Sequence, residues 1–202
     1  MGHIYTLRRI RDLKTNYRKR ERLLIGRKNF MTVRISGQNV TAQVLRPETA
    51  GDKVITSVHS RELSSFGWKG SLKNIPACYL VGLLLGKKCA DKGVNQVVLY
   101  TGIRPFTSRI AACLKGLIES GITSPHSEKT LPDSERINGA HIASYANMLK
   151  SNLEEYQSRF SGLLSLGLKP EEYPSHITEV KAEILNHDLK KHHSNKITTE
   201  SS

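Results

Sequence analysis

Between Tyr5 and Arg22 the chain reads YTLRRIRDLKTNYRKRER, and this tract limits where a core can be built. Arg8, Arg9, Arg11, Lys14, Arg18, Lys19, Arg20 and Arg22 crowd into it, Arg27 and Lys28 extend the run, and only Asp12 and Glu21 oppose them. Unpaired charge at this density stays in water, because burying it costs far more than the neighbouring apolar groups return. Ile4, Leu7, Ile10, Leu13 and Tyr17 recur at spacings of three and four, which predicts a helix with a narrow apolar face over part of the tract. The arginines then project around most of the circumference and repel one another unless an anion lies alongside. The planar donor fork of arginine suits phosphate. An arm for nucleic acid is therefore expected, disordered until an anionic partner arrives, with Thr15, Asn16 and Tyr17 as further hydrogen-bonding groups. A solvated basic tail or a targeting signal is the alternative.

The whole chain of 202 residues carries a formal net charge of +13, a balance that suits RNA, DNA or an acidic membrane surface. Aromatic residues make up only 6%, which argues against broad stacking platforms for single-stranded bases. Cys78, Cys89 and Cys113 are an odd number with no CxxC pairing, so no disulfide framework is expected and a reducing compartment fits. The N-terminus shows no apolar core of signal-peptide length. The longest apolar stretch, Ala77 to Leu85, is interrupted by Gly82 and falls short of the roughly 20 residues that span a bilayer.

After a break at Gly26, Phe30 to Ile35 alternates apolar and polar, as do Val40 to Val44 and Val54 to Val58, with turns at Ser36–Asn39 and Pro47–Asp52. Three strands in an antiparallel meander are expected. His59 to Lys73 reads as irregular around Gly67-Trp68-Lys69-Gly70, where Trp68 is either a core plug or an RNA-stacking platform. A helix is expected from Asn74 as cap to Gly93 past its end. Gly82 and Gly86, four apart, would let it sit close to the sheet; a membrane dimer motif is the alternative. Asn95 to Tyr100 (NQVVLY) has the apolar run of a buried strand, and a second helix is expected over Thr107 to Ser120.

The predicted fold class is mixed α/β: a small mixed sheet of about four strands in the order β-β-β-α-β-α. It carries a basic N-terminal arm (1–28), an α/β core (29–122) and a helical C-terminal extension with a loose tail (123–202). In the extension, one helix opens at Leu131–Arg136 and continues or restarts to about Phe160, Leu163 to Pro174 connects, and Ile177, Val180, Ile184 and Leu185 mark a last helix. Its helices have few partners in so small a core, so they are expected to pack on partners outside the chain.

TNYRKRERLL in the arm, SVHSRELSSFGWKG, NIPACYLVGLLLGKK, and TSPH followed by LPDSERINGAHIASYA stand in an order and spacing that resemble one family. It is the archaeal-type form of universal large-subunit ribosomal protein eighteen, the 5S ribosomal RNA-binding family, and the resemblance covers about residues 5 to 150. The chain departs from many relatives at Tyr100, where they carry Asp, and at Pro105-Phe106-Thr107-Ser108, where they carry a Gly-containing loop. The resemblance implies a structural protein of the large subunit's central protuberance, clasping 5S RNA against the large ribosomal RNA beside neighbouring ribosomal proteins. It implies neither a cofactor nor a small-molecule substrate, and it places the protein in the cytoplasm, on the ribosome.

The residues themselves fit such a role, since RNA helices are gripped through phosphates and sugar hydroxyls, by shape. The candidate contacts are Arg8, Arg9, Arg11, Lys14, Thr15, Asn16, Tyr17, Arg18, Arg20, Arg22, Arg27 and Lys28 in the arm, Arg34 on the polar side of the first strand, Trp68 and Lys69, and Arg104, Ser108 and Arg109 where the second helix begins. The competing reading is an enzyme. This strand order resembles the ribonuclease H-like motif, shared with components of the translational machinery, whose nucleases hold two metal ions on strand carboxylates. FMTVRI, VTAQVL and NQVVLY contain no Asp or Glu, and His187, His192 and His193 lack the spacing of metal ligands, so neither a catalytic nor a metal site is expected. A free RNA- or DNA-binding regulator would need a base-reading helix or aromatic stacking motifs, and neither is visible.

Overall fold

The computed structural model describes residues 6–12, 14–49 and 51–187. Ile4, Tyr5 and Leu13 of the arm, and the His192–Ser202 tail, lie outside the described residues.

Strands β1 (Phe30–Ile35), β2 (Val40–Arg46) and β3 (Lys53–His59) form the expected antiparallel meander. Met31 faces Val44 and Val33 faces Ala42 across β1–β2, while Ala42 faces Val58 across β2–β3. All five are buried, because alternation places them on the one covered face. The opposite face carries Thr32, Arg34, Thr41, Gln43 and Ser57 and stays open, none of them fully buried. Strand β4 (Val98–Leu99) joins parallel to β1 at Phe30 and Met31, completing the order β3-β2-β1-β4. It is shorter than NQVVLY suggested, and it is an edge strand: Val97 is buried but Val98, Leu99 and Tyr100 are half-buried.

Helix α3 (Ile75–Asp91) is the central element. Asn74 caps it, accepting from the Ala77 amide at 2.9 Å, and twelve of its residues are buried. The second helix, α4 (Ser108–Glu119), packs along it. Their contact explains the glycines, and corrects the expectation that these face the sheet. A Cβ on Gly82 would collide with the Cys113 carbonyl, one on Gly86 with the Ser120 side chain, and one on Gly116 with the Tyr79 carbonyl. The glycines bring helix backbone onto helix backbone. Across the same pair, Tyr79 of α3 donates to Glu119 of α4.

The stretch expected to be irregular begins with a 3-10 helix, Ser60–Phe66. His59 caps it, and Glu62 in turn accepts from the His59 amide at 2.9 Å. The C-terminal region is helical but more divided than the sequence suggested: α5 (Ser134–Ile137), α6 (Ala140–Leu149), α7 (Leu153–Ser165) and α8 (Tyr173–Asn186). Asn152 divides α6 from α7 by capping the latter. Nor does α8 wait for an outside partner. Tyr173, Ile177, Val180 and Ile184 enter the same hydrophobic cluster as α3 and the sheet, while Leu185 stays exposed. Lys181 of α8 completes the link, pairing with Glu119 at 3.0 Å and lying 5.3 Å from the Tyr79 ring centroid. Glu119 is held below the usual carboxylate range: burial pushes it up, but the hydrogen bonds from Tyr79 and Lys181 outweigh that.

Candidate nucleic-acid interface

The arm is largely helical. A single turn, α1 (Arg8–Arg11), is followed by α2 (Tyr17–Gly26), and neither buries a residue. Asn16 caps α2 by accepting from the Lys19 amide at 3.0 Å, so its side-chain oxygen is occupied, and Thr15 accepts from Arg9 Nε at 2.8 Å. Arg27 ends α2 in the left-handed conformation, at φ 47°.

Helix α2 does not hang free, as an arm awaiting an anion would. Arg20 Nη1 donates to Asp52 Oδ2 at 2.7 Å, Nη2 pairs with the other carboxylate oxygen, and the guanidinium lies 5.7 Å from the Phe30 ring centroid. Lys19 Nζ reaches the Gly102 carbonyl at 3.3 Å. The clasp explains an irregularity in β1. Phe30 points to the open face yet is 1% exposed, because Arg20 covers it and Tyr100 meets it edge-on with ring centroids 5.5 Å apart. The anionic partner that Arg20 requires is supplied by the chain itself.

The remaining cations divide by use. Arg8 and Lys14 share Asp12 at 3.8 and 3.1 Å in exposed pairs that contribute little in water. Arg9, Arg11, Arg18, Arg22, Arg27 and Lys28 are exposed, as is Arg34 beyond them on the open sheet face. With Arg34 stand Thr32, Thr41, Gln43 and Ser57, hydroxyl and amide groups able to bond sugars and phosphates. The β period would have revealed these four as the polar partners of the buried positions.

The loop at Arg104 adjoins α2 through the Lys19–Gly102 bond, and Arg104 and Ser108 are exposed. Arg109 turns toward an open cleft of about 500 Å³ that it lines with Ser71, Lys73, Asn74, Ile75, Thr107, Ser108 and His141. The start of α3 and the start of α4 both border this cleft, and the Thr107 hydroxyl is buried there with no hydrogen-bond partner among the described residues.

Trp68 is not on the surface. It is 4% exposed, its indole N–H donates to the Ser71 carbonyl at 3.3 Å, and its ring stacks on His176 and meets Tyr173 edge-on. A stacking role on a nucleic-acid base is thereby corrected to a core role. Lys69 beside it is exposed.

Among the described residues no group of three or more His, Cys, Asp or Glu could hold a metal ion, and no helix is long and apolar enough to cross a membrane. Burial pushes the Cys78 and Cys89 thiols up to about 12, so they stay protonated and unreactive near neutral pH.

Residues 4–103 match the family model described as ribosomal large subunit proteins 60S L5 and 50S L18. The chain is also 43% identical, over 181 residues, to large ribosomal subunit protein uL18 of Methanococcus maripaludis, an alignment covering 89% of this chain and 94% of that one.

Proposed function

This chain belongs to the family of ribosomal large subunit proteins 60S L5 and 50S L18, and from that membership we propose that it binds 5S ribosomal RNA and anchors it to the large ribosomal RNA in the central protuberance. It is a structural constituent of the large ribosomal subunit and not an enzyme, and it works in the cytoplasm as part of the ribosome.

The observation that supports RNA binding by this chain is the Arg20 clasp. It fixes α2 against Asp52 and Phe30, so that the helix presents the exposed Arg18 and Arg22 from the same sheet whose open face holds Arg34. The product is one broad basic surface lined with hydroxyl and amide groups, the chemistry that reads an RNA helix by shape and backbone. In this reading Arg8, Arg9, Arg11, Lys14, Arg18, Arg22, Arg27, Lys28 and Arg34 meet phosphates, with Tyr17 beside them. Arg104, Ser108 and Arg109 form a second patch across the Lys19–Gly102 contact, and Lys69 is exposed beside Trp68. Arg20, Asn16 and Thr15 position the others. The addition of β4 parallel to β1 after α3 supports reading the sheet as a ribonuclease H-like motif used as a scaffold.

Hydroxyl-radical footprinting of the purified protein on 5S RNA tests this. Protection of a continuous run of sugars, lost when Arg18 and Arg22 are changed to Gln, is expected. An unprotected 5S RNA, or protection indifferent to those changes, would reject it.

A further inference from the structure

Charge is segregated along this chain. Residues 1–122 hold 22 basic against 7 acidic residues, net +15, whereas residues 123–187 hold 6 basic against 9 acidic, net −3. The acidic part also displays apolar side chains where α6 meets α7. Tyr145 is 42% exposed, Met148, one turn further along α6, is 75% exposed, and Leu153, opening α7, is 67% exposed. These side chains rest on a firm base. Tyr145 packs edge-on against Phe160 with ring centroids 6.1 Å apart, Tyr156 lies 5.4 Å from Phe160, and the Tyr156 hydroxyl bonds Glu171 at 3.0 Å. Around them stand Glu154 and Glu172, both exposed, together with Glu155 and Glu171. Lys150 pairs with Glu171 at 3.3 Å, and Arg159 lies 3.8 Å from Glu155.

We propose that the α6–α7 corner, built of Tyr145, Met148 and Leu153 within an acidic surround, is a docking surface for a basic segment of a neighbouring protein. The proposal rests on the chain's place in the large subunit and names the partner class of a surface that the RNA-binding reading leaves unused. RNA is the poorer occupant, because Glu154 and Glu172 would be pressed against phosphates while Lys150 and Arg159 are already paired with Glu171 and Glu155. Bulk water is a poor one too, since aromatic, Met and Leu side chains grouped at a turn gain most when an apolar partner covers them. A protein segment bearing Lys or Arg beside an apolar anchor satisfies both halves of the surface: the anchor covers Met148 and Leu153, and the cations meet the glutamates at the rim. The chain then faces RNA with one side and protein with the other.

The test uses the full chain assembled into large subunits, with Met148 replaced by the photo-crosslinking residue p-benzoylphenylalanine. Illumination is expected to join position 148 to a Lys- or Arg-rich segment of another ribosomal protein. The same crosslink in a Glu154→Lys/Glu155→Lys background is expected to fall about tenfold, since like charges then meet at the rim, while 5S RNA binding by that variant holds. A crosslink to ribosomal RNA, one to a segment without basic residues, no crosslink in assembled subunits, or a yield indifferent to charge reversal would each overturn the proposal. Loss of 5S RNA binding in the Arg18→Gln/Arg22→Gln protein bears only on the function proposed above, so the two can fail separately.

Discussion

Trp68 stacks on His176, with ring centroids 5.3 Å apart and 14° between the ring planes. The pair joins the loop after the first 3-10 helix to α8, and the His176 ring accepts from the Lys69 amide at 3.1 Å. The Trp68 ring also meets Tyr173, whose hydroxyl lies within hydrogen-bond reach of the Asn74 side chain. Trp68 therefore closes the C-terminal helix onto the cap of α3. Trp68→Ala should lower stability by about 3–5 kcal/mol, measured by denaturant unfolding. The affinity of the folded fraction for RNA should hold. A variant as stable as the parent but poor in RNA binding would return Trp68 to the interface.

The same contact predicts acid sensitivity. Burial holds His176 below its ordinary value of 6.5, with Glu179 opposing and Lys69 adding to the depression. The unfolded chain then binds a proton more readily than the folded one. This contribution to stability is fully present above about pH 6.5 and is lost as pH falls below that value toward the depressed folded-state value. His141, likewise depressed by burial and then by Arg136, acts in the same direction. Denaturation midpoints taken between about pH 7.5 and pH 5 should fall with acid. The fall should be smaller in His176→Gln, which keeps an acceptor for the Lys69 amide but does not titrate. Equal slopes for the two proteins would show that the ring is as free to protonate as in the unfolded chain.

Glycines in two helices should behave oppositely. Gly116 of α4 lies against the backbone of α3, so a methyl group there strikes the Tyr79 carbonyl, which cannot give way without moving a helix. Gly116→Ala should cost about 3 kcal/mol or more, at the upper end of overpacking effects. Gly162 of α7 has open space around it, and Gly162→Ala should stabilise by about 0.5–1 kcal/mol through helix propensity. Thermal unfolding of the two variants checks both signs.

Strand alternation in FMTVRI and VTAQVLR, and the Asn74 cap, were legible because each is written within a few residues. What could not be read locally was contact between distant segments. Gly82 and Gly86 announce a close approach, but only the fold shows that Cys113 and Ser120, rather than the sheet, are what they approach. NQVVLY is apolar enough for a buried strand, yet it lies at an edge, and the isolated bridge from Gln96 to Thr123 replaces further pairing. The stripe of Ile177, Val180 and Ile184 was visible; traced back one turn it reaches Tyr173, which would have pointed to the partner of Trp68. Phe30 breaks the alternation of β1, and nothing in its neighbourhood reveals that Arg20 covers it. The three-and-four spacing of the arm agrees with helices α1 and α2, but the pairing of Arg20 was not legible, because Asp52 lies in a distant turn.

That clasp changes what substitutions in the arm should do. Each phosphate contact adds about 0.7–0.9 to the slope of log affinity against log salt, through released counterions. Arg18 and Arg22 are exposed and make none of the contacts that hold α2, so Arg18→Gln/Arg22→Gln should flatten the slope on 5S RNA by about 1.5–2 and leave stability unchanged. Arg20 is spent on Asp52 and Phe30. Asp52→Asn, which removes no cation, should free α2, raise amide exchange over Arg20 to Leu24, and cost about 1 kcal/mol of local stability. Its affinity for 5S RNA should fall because the arm must then be ordered on binding, while the salt slope is retained or slightly steepened by the released guanidinium. If Arg20 instead grips a phosphate, Asp52→Asn should tighten binding, and Arg20→Gln should flatten the slope as much as either neighbour does. Salt titrations of these variants on 5S RNA separate a positioning role for Arg20 from direct phosphate contact.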